Sequence, residues 1–176
     1  MKTRHFVQTV TVQAVTVVAV ATAAATFAAP AQAATSGPQA DVQQQVDQVT
    51  ATHPGARQTG PGIITFSDGV VLTIPAAGAA AGVCASGAYC FFQYTNYGGR
   101  KLTFRDCAPN GLWQYLTDYG FGNSTSSWQN YSKNTVLVYD QGTQPPTSLW
   151  TENPGGESTY TGNADNKADS FETFCG

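Results

Sequence analysis

Apolar residues follow three different rhythms along this chain. From about Val10 to Ala29 they run on without a period, rich in Ala, Val and Thr, behind a positive start at Lys2 and Arg4 and ahead of Ala31-Gln32-Ala33. That layout predicts a signal peptide over residues 1–33, cut after Ala33, and a secreted, extracellular product with no membrane association once the signal is gone. An uncleaved anchor fits less well, because Leu, Ile and a basic stop-transfer flank are missing. Next, Val42, Val46 and Val49 recur at helical spacing among polar residues, which predicts a short amphipathic helix over 41–53 ended by His53-Pro54-Gly55. Over 63–74 the pattern changes to two β-branched runs around Asp68-Gly69, a hairpin signature.

One helix and one hairpin bury too little apolar surface to stand alone. Residues 34–74 therefore read as a small N-terminal helix/hairpin module or pro-segment. The Ala/Gly tract 75–83 has no period and reads as a linker. From Cys84 onward aromatics, Gly, Asn, Ser and Thr take over, and residues 84–176 suffice for one domain of short strands. An internal duplication runs through it. Phe92-Gln93-Tyr94 aligns with Leu137-Val138-Tyr139, and the polar segment 122–127 (Gly-Asn-Ser-Thr-Ser-Ser) aligns with 165–170 (Asp-Asn-Lys-Ala-Asp-Ser). Two copies of a four-strand unit suit a pair of Greek keys packed as a sandwich, since each copy alone leaves one sheet face wet.

Composition narrows the chemistry. Only 11% of residues are charged and the formal charge is −3, so no basic field exists to hold nucleic acid. The two histidines, His5 and His53, both lie before the 84–176 domain, so no serine or cysteine there has a histidine base beside it in sequence. The expectation is no enzyme and no catalytic residues. Cys84, Cys90, Cys107 and Cys175 form an even set in an exported protein, which reads as two disulfides. Three pairings exist; proximity favours Cys84 with Cys90, leaving Cys107 for Cys175. A zinc site lacks its paired C-x2-C elements. Trp113, Trp128, Trp150 and the tyrosines supply either a core or a sugar-binding platform.

The spacing of Phe92, Tyr97 and Gly99, the opening Cys84-Ala-Ser-Gly-Ala-Tyr-Cys90 and the following run to Gly99 resemble a secreted bacterial peptidase-inhibitor family built on the βγ-crystallin fold, whose founding members block metalloproteinases. The resemblance implies an all-β, βγ-crystallin-like two-Greek-key β-sandwich, an extracellular protease as partner, and action as a monomer through a loop inserted into the protease cleft. It nominates the connection after Tyr139, and within it Thr147, Ser148, Leu149 and Trp150 behind the stiff Pro145-Pro146. The segments 122–127 and 165–170 resemble the same fold's calcium loops. They nominate Ser124, Ser126, Asp169 and, through its carbonyl, Lys167 as ligands of an optional Ca2+, with no cofactor required. This chain departs from the pattern in four places. Gly142 and Gln144 stand where the second copy would carry its aromatic and glycine, Gly122 stands where Asn or Asp is usual, Asp169 replaces Ser or Thr, and no cysteine closes the connection after Tyr139. Two other functions share the fold: a calcium-binding structural or matrix protein, and an antifungal or cell-wall-binding toxin.

Overall fold

The computed structural model describes residues 37–176, and the signal peptide expected over 1–33 lies outside the described residues. One helix, α1 (Pro38–Thr52), precedes eleven strands: β1 (Arg57–Gly60), β2 (Ile63–Thr65), β3 (Val71–Thr73), β4 (Tyr89–Tyr94), β5 (Gly98–Phe104), β6 (Leu112–Tyr115), β7 (Ser127–Asn130), β8 (Thr135–Asp140), β9 (Thr147–Glu152), β10 (Glu157–Ser158) and β11 (Ser170–Phe174). They form a seven-stranded sheet, β1-β2-β3-β5-β4-β7-β10, and a four-stranded sheet, β6-β11-β8-β9.

From β4 onward the order is that of two interlocked Greek keys. Each four-strand unit, β4–β7 and β8–β11, sends its third strand into the other unit's sheet: β6 pairs with β11, and β10 pairs with β7. The expected two-key sandwich is what the chain forms. Alternation within the strands turns Tyr89, Phe91, Leu102, Phe104, Val136, Val138 and Phe171 into the space between the sheets, where all are buried. The rings of Phe104 and Phe171 meet at 4.8 Å, and those of Phe91 and Phe171 at 5.1 Å. Both disulfides adopt the pairing that proximity favours, Cys84–Cys90 and Cys107–Cys175. The second spans 68 residues and ties the C-terminus to the loop before β6, which in the chain-entropy picture stabilises by about 4 kcal/mol.

Backbone conformation confirms the duplication. Asn123 and Asn166, at matching places in the two polar loops, are both left-handed, with φ of 52° and 55°. The strand alignment needs a correction, however. Ser127 lies opposite Phe92, and Ser170 lies opposite Tyr139, so the structural equivalent of Phe92 is Tyr139 rather than Leu137. A slip of two residues keeps every side chain on its own face, so alternation alone does not reveal it.

The N-terminal module is not set apart from the domain. The hairpin forms at Asp68-Gly69 as expected, with Ile64 opposite Leu72, but β3 then pairs with β5, Leu72 opposite Leu102. The sheet is thereby extended by three strands. Helix α1 lies on the inner face of that extension, and Val46, Ile64, Phe66 and Leu72 join the same core as Phe104 and Phe171. Tyr119, in the turn after β6, donates to Asp68 Oδ2 at 2.5 Å and packs edge-on against Phe66. The tract 75–83 is irregular, yet Lys101 Nζ donates to the carbonyls of Gly82 and Val83 and holds it down.

Leu72→Ala should therefore unfold the protein as one unit, lowering stability by about 2–5 kcal/mol in a single cooperative urea transition. A separate early transition for residues 37–83 would show instead that the module folds by itself.

Candidate functional site

The hairpin connection within the four-stranded sheet is residues 141–146, between β8 and β9. The corresponding β4–β5 turn is tight. Asn96 and Tyr97 take positive φ there, and at Gly99 a Cβ would come within 2.7 Å of the Tyr94 ring. The β8–β9 loop is wider because Gln144, Pro145 and Pro146 replace that geometry. Its base is fastened by side chains. The Gly142 amide donates to Asp140 Oδ1 (2.7 Å), the Gln141 amide to Asp169 Oδ2 (3.3 Å), Gln141 Nε2 to Ser170 Oγ (2.6 Å), and the Thr143 hydroxyl lies 2.7 Å from that of Thr147. Residues 142–145 themselves stand exposed.

The four residues nominated for protease contact lie not in this loop but in β9. Thr147 pairs with Asp140, Ser148 with Tyr139 and Trp150 with Val138, and the register shift between the last two pairs leaves Leu149 as the bulged residue. Thr147 and Ser148 are exposed. Leu149 and Trp150 are half-buried and pack against the main core. Of the four, only the first two offer their side chains to a partner.

The two polar loops face each other. Asn123 N donates to the Ala168 carbonyl (2.8 Å) and Asn166 N to the Thr125 carbonyl (3.0 Å), a reciprocal pair that matches the duplication. Among the nominated residues, the Ser124 hydroxyl donates back to the Gly122 carbonyl, Ser126 is buried with its backbone bonded to Phe92 and Thr161, and the Lys167 side chain is exposed. Asp169 is buried, and its Oδ1 has no hydrogen-bond partner. Gly122 makes room for it, since a Cβ at 122 would lie 3.3 Å from that oxygen. Asp165 Oδ1 and Thr125 Oγ1 are buried and unpartnered too, and sequence reasoning did not nominate either. Asp165 opens the second polar loop, so the motif already contained it. Thr125 carried no signal of its own. Among the described residues no three His, Cys, Asp or Glu side chains gather into a metal-binding group.

His53 is occupied structurally. Its Nδ1 lies 2.9 Å from the Val49 carbonyl and 3.0 Å from the Thr52 hydroxyl, and its ring meets Phe66 edge-on.

Residues 77–151 match the model of peptidase inhibitor family I36. The resemblance to a crystallin-fold peptidase-inhibitor family is thereby borne out. The family I36 match takes in the first Greek key, β8, the 141–146 loop and nearly all of β9, and it stops short of the second polar loop. It supports a peptidase inhibitor, and two disulfides are consistent with an extracellular protein. A search of curated proteins finds no match. Solved structures with similar folds include a βγ-crystallin domain studied for the evolution of the eye-lens fold, 12% identical, with 61% of this chain and 98% of that chain covered and a TM-score of 0.47. A βγ-crystallin domain from Clostridium beijerinckii is 24% identical, with 49% and 97% covered and a TM-score of 0.39. The βγ-crystallin from Ciona intestinalis is 23% identical, with 48% and 96% covered and a TM-score of 0.38.

One residue beyond the family I36 match, Glu152 is the most deeply buried acid of the chain, at 0% exposure. Register with Val136 turns it inward, where Oε1 accepts from the Trp150 indole at 3.0 Å and Oε2 has no partner. Burial pushes its pKa from 4.5 up to about 8, opposed only by the indole hydrogen bond. A carboxyl that holds its proton more tightly folded than unfolded stabilises below its unfolded pKa. That stability is lost as pH rises toward the folded pKa. Stability should fall between pH 5 and 8 by about 3 kcal/mol, and Glu152→Gln should flatten the fall in urea titrations at the two pH values. An unchanged slope in the variant would assign the pH dependence to other groups.

Proposed function

We propose that this chain is a secreted inhibitor of an extracellular peptidase, occupying its cleft with the 141–146 loop and the exposed Thr147 and Ser148 and performing no chemistry of its own. The observation that carries the proposal is the family I36 match, which takes in this loop and most of β9. The loop's geometry supports it. A segment already fastened by Asp140, Asp169, Thr143 and Gln141 gives up little conformational freedom on docking, and ordering a flexible loop is one of the main costs of association. Metalloproteinases are the target class to which the resemblance points. Leu149, packed on the core, serves as a support for the strand rather than as the residue inserted.

A second reading is favoured by three orphan oxygens of the polar loops. Asp169 Oδ1, Asp165 Oδ1 and Thr125 Oγ1 are hard oxygen donors buried without hydrogen bonds, the donor type a calcium ion selects. Carbonyls of the same loops, with the nominated Ser126 and, through its carbonyl, Lys167, are further oxygens available to such an ion, and Ser124 would have to release its bond to the Gly122 carbonyl. Extracellular modules hold the ion at about 10⁻⁴ to 10⁻³ M. Because Asp169 also accepts the Gln141 amide, an ion there would stiffen the base of the presented loop. The ion would then be an accessory to inhibition and not a separate function.

The intact chain should inhibit at least one member of a panel of metallo-, serine and cysteine peptidases at micromolar concentration. Ser148→Trp, which places bulk on an exposed position, should weaken that inhibition at least tenfold with an unchanged melting temperature. A folded protein that inhibits none of the panel would overturn the reading. Millimolar calcium should raise the melting temperature of the wild type and leave Asp169→Ala unaffected, as expected for a ligand bound only by the folded state.

A further inference from the structure

The outward face of the four-stranded sheet carries aromatic rings around one carboxylate. Register places Trp113, Glu172, Leu137 and Thr151 in one row across β6, β11, β8 and β9, and Tyr115, Ser170, Tyr139 and Ser148 in the next. Phe171, between these rows on β11, is buried in the core, so the rows lie on the outer side. Trp113 and Tyr115 are 36% and 44% exposed. The Trp113 ring stacks on Tyr139 at 4.9 Å and meets Tyr115 at 6.4 Å. Glu172 is opposite Trp113 and folds its carboxylate over Gly111, where a Cβ would collide with Oε1. Burial and then the Glu172 charge raise the Tyr139 hydroxyl above its ordinary range, which places that charge beside the rings.

The charge on the two sheets is unequal. No strand of the four-stranded sheet carries a lysine or arginine, while Asp140 and Glu172 are on it, besides the inward, neutral Glu152. Arg57, Arg100 and Lys101 lie on strands of the other sheet, with Glu157 as its one acid. A carboxylate framed by exposed ring faces, on a sheet without a cation of its own, is complementary to a positive group. Ring quadrupoles attract that group and Glu172 neutralises it.

We propose that this face binds a lysine or arginine side chain of a polypeptide partner, with the cationic head against Glu172 and over the exposed rings of Trp113 and Tyr115. Its continuity with the presented loop argues for a polypeptide. Gln141, at the base of that loop, donates to Ser170 in the second row, so the loop adjoins the face that carries the rings. The site stands whether or not the loop enters a peptidase, because the register and the charge distribution create it.

The test is calorimetric titration of the intact protein with an acetylated, amidated Gly-Gly-Arg-Gly-Arg-Gly-Gly peptide, alongside the same peptide with Glu in place of Arg. Saturable binding of the Arg peptide alone is expected. Glu172→Gln and Trp113→Leu should each weaken it about fivefold or more, while Glu157→Gln, which removes a charge from the other sheet, should leave it unchanged. Tyr115→Leu provides a second ring variant should Trp113→Leu melt early. Four outcomes would overturn the proposal: no binding at millimolar peptide, equal binding of the Arg and Glu peptides, equal losses in Glu172→Gln and Glu157→Gln, or tighter binding of glucosamine oligomers than of the peptide. The third would reduce the effect to net charge, and the fourth would reassign the partner to an amino sugar.

Discussion

Neither four-strand unit can close its own sheet, and everything else follows from that constraint. Because β6 and β10 cross over, each sheet is completed by a strand from the other unit, and the aromatic layer of Phe91, Phe104 and Phe171 is sealed only when both are in place. Such rings gain from close edge-to-face packing as well as from area removed from water. The interlock also sets where function can sit. Strands inside the sandwich are committed to packing, so only turns, edge strands such as β9 and the outer faces are free to meet a partner.

The same constraint explains why α1 and the first hairpin belong to this unit. A two-key sandwich ending at β5 would leave a seven-residue edge strand unpaired, an invitation to wrong pairing. Here β3 occupies that edge, and α1 covers the inner face that the extension exposes. At the far end of the extension β1 is four residues long, carries Arg57 and has an irregular register with β2, features that blunt an edge. On the other side, β10 is two residues long. The smaller sheet has two edges, β6 and β9, and β9, six residues long, begins beside the presented loop.

Much of this architecture was legible in the residues. The helical stripe Val42-Val46-Val49, the hairpin at Asp68-Gly69, the pairing of Cys84 with its near neighbour and the duplicated polar loops are all local signals, and local signals survive folding. What could not be read was long-range or two-fold degenerate. The docking of β3 on β5 depends on residues some thirty apart, and the true equivalence of Phe92 with Tyr139 differs from the apparent one by a slip to which alternation is blind. At the candidate site the sequence nominated Thr147 to Trp150 as contact residues of the connection after Tyr139, whereas these residues form β9 and the bulge at Leu149 turns that residue and Trp150 onto the core. Nothing short of the register reveals a bulge. Sequence likewise offered no reason to single out Glu152 or Thr125, because burial without a partner is a property of the assembled fold.

Two buried carboxyl groups mark opposite ends of the four-stranded sheet, and their different surroundings suggest different work. Glu152 sits where desolvation dominates, with one hydrogen bond from an indole, so its neutral form is the one the fold accommodates. Asp169 accepts a backbone amide from the loop it supports, while its other oxygen faces the opposing polar loop. A neutral, inward acid at the last residue of β9 costs little at low pH and anchors Trp150. An acid that bonds a loop and still has an unused oxygen is suited to respond to a cation. The base of the presented loop is thus held from the side where a ligand can act on it, and the strand that follows is held from the side where a ligand cannot reach.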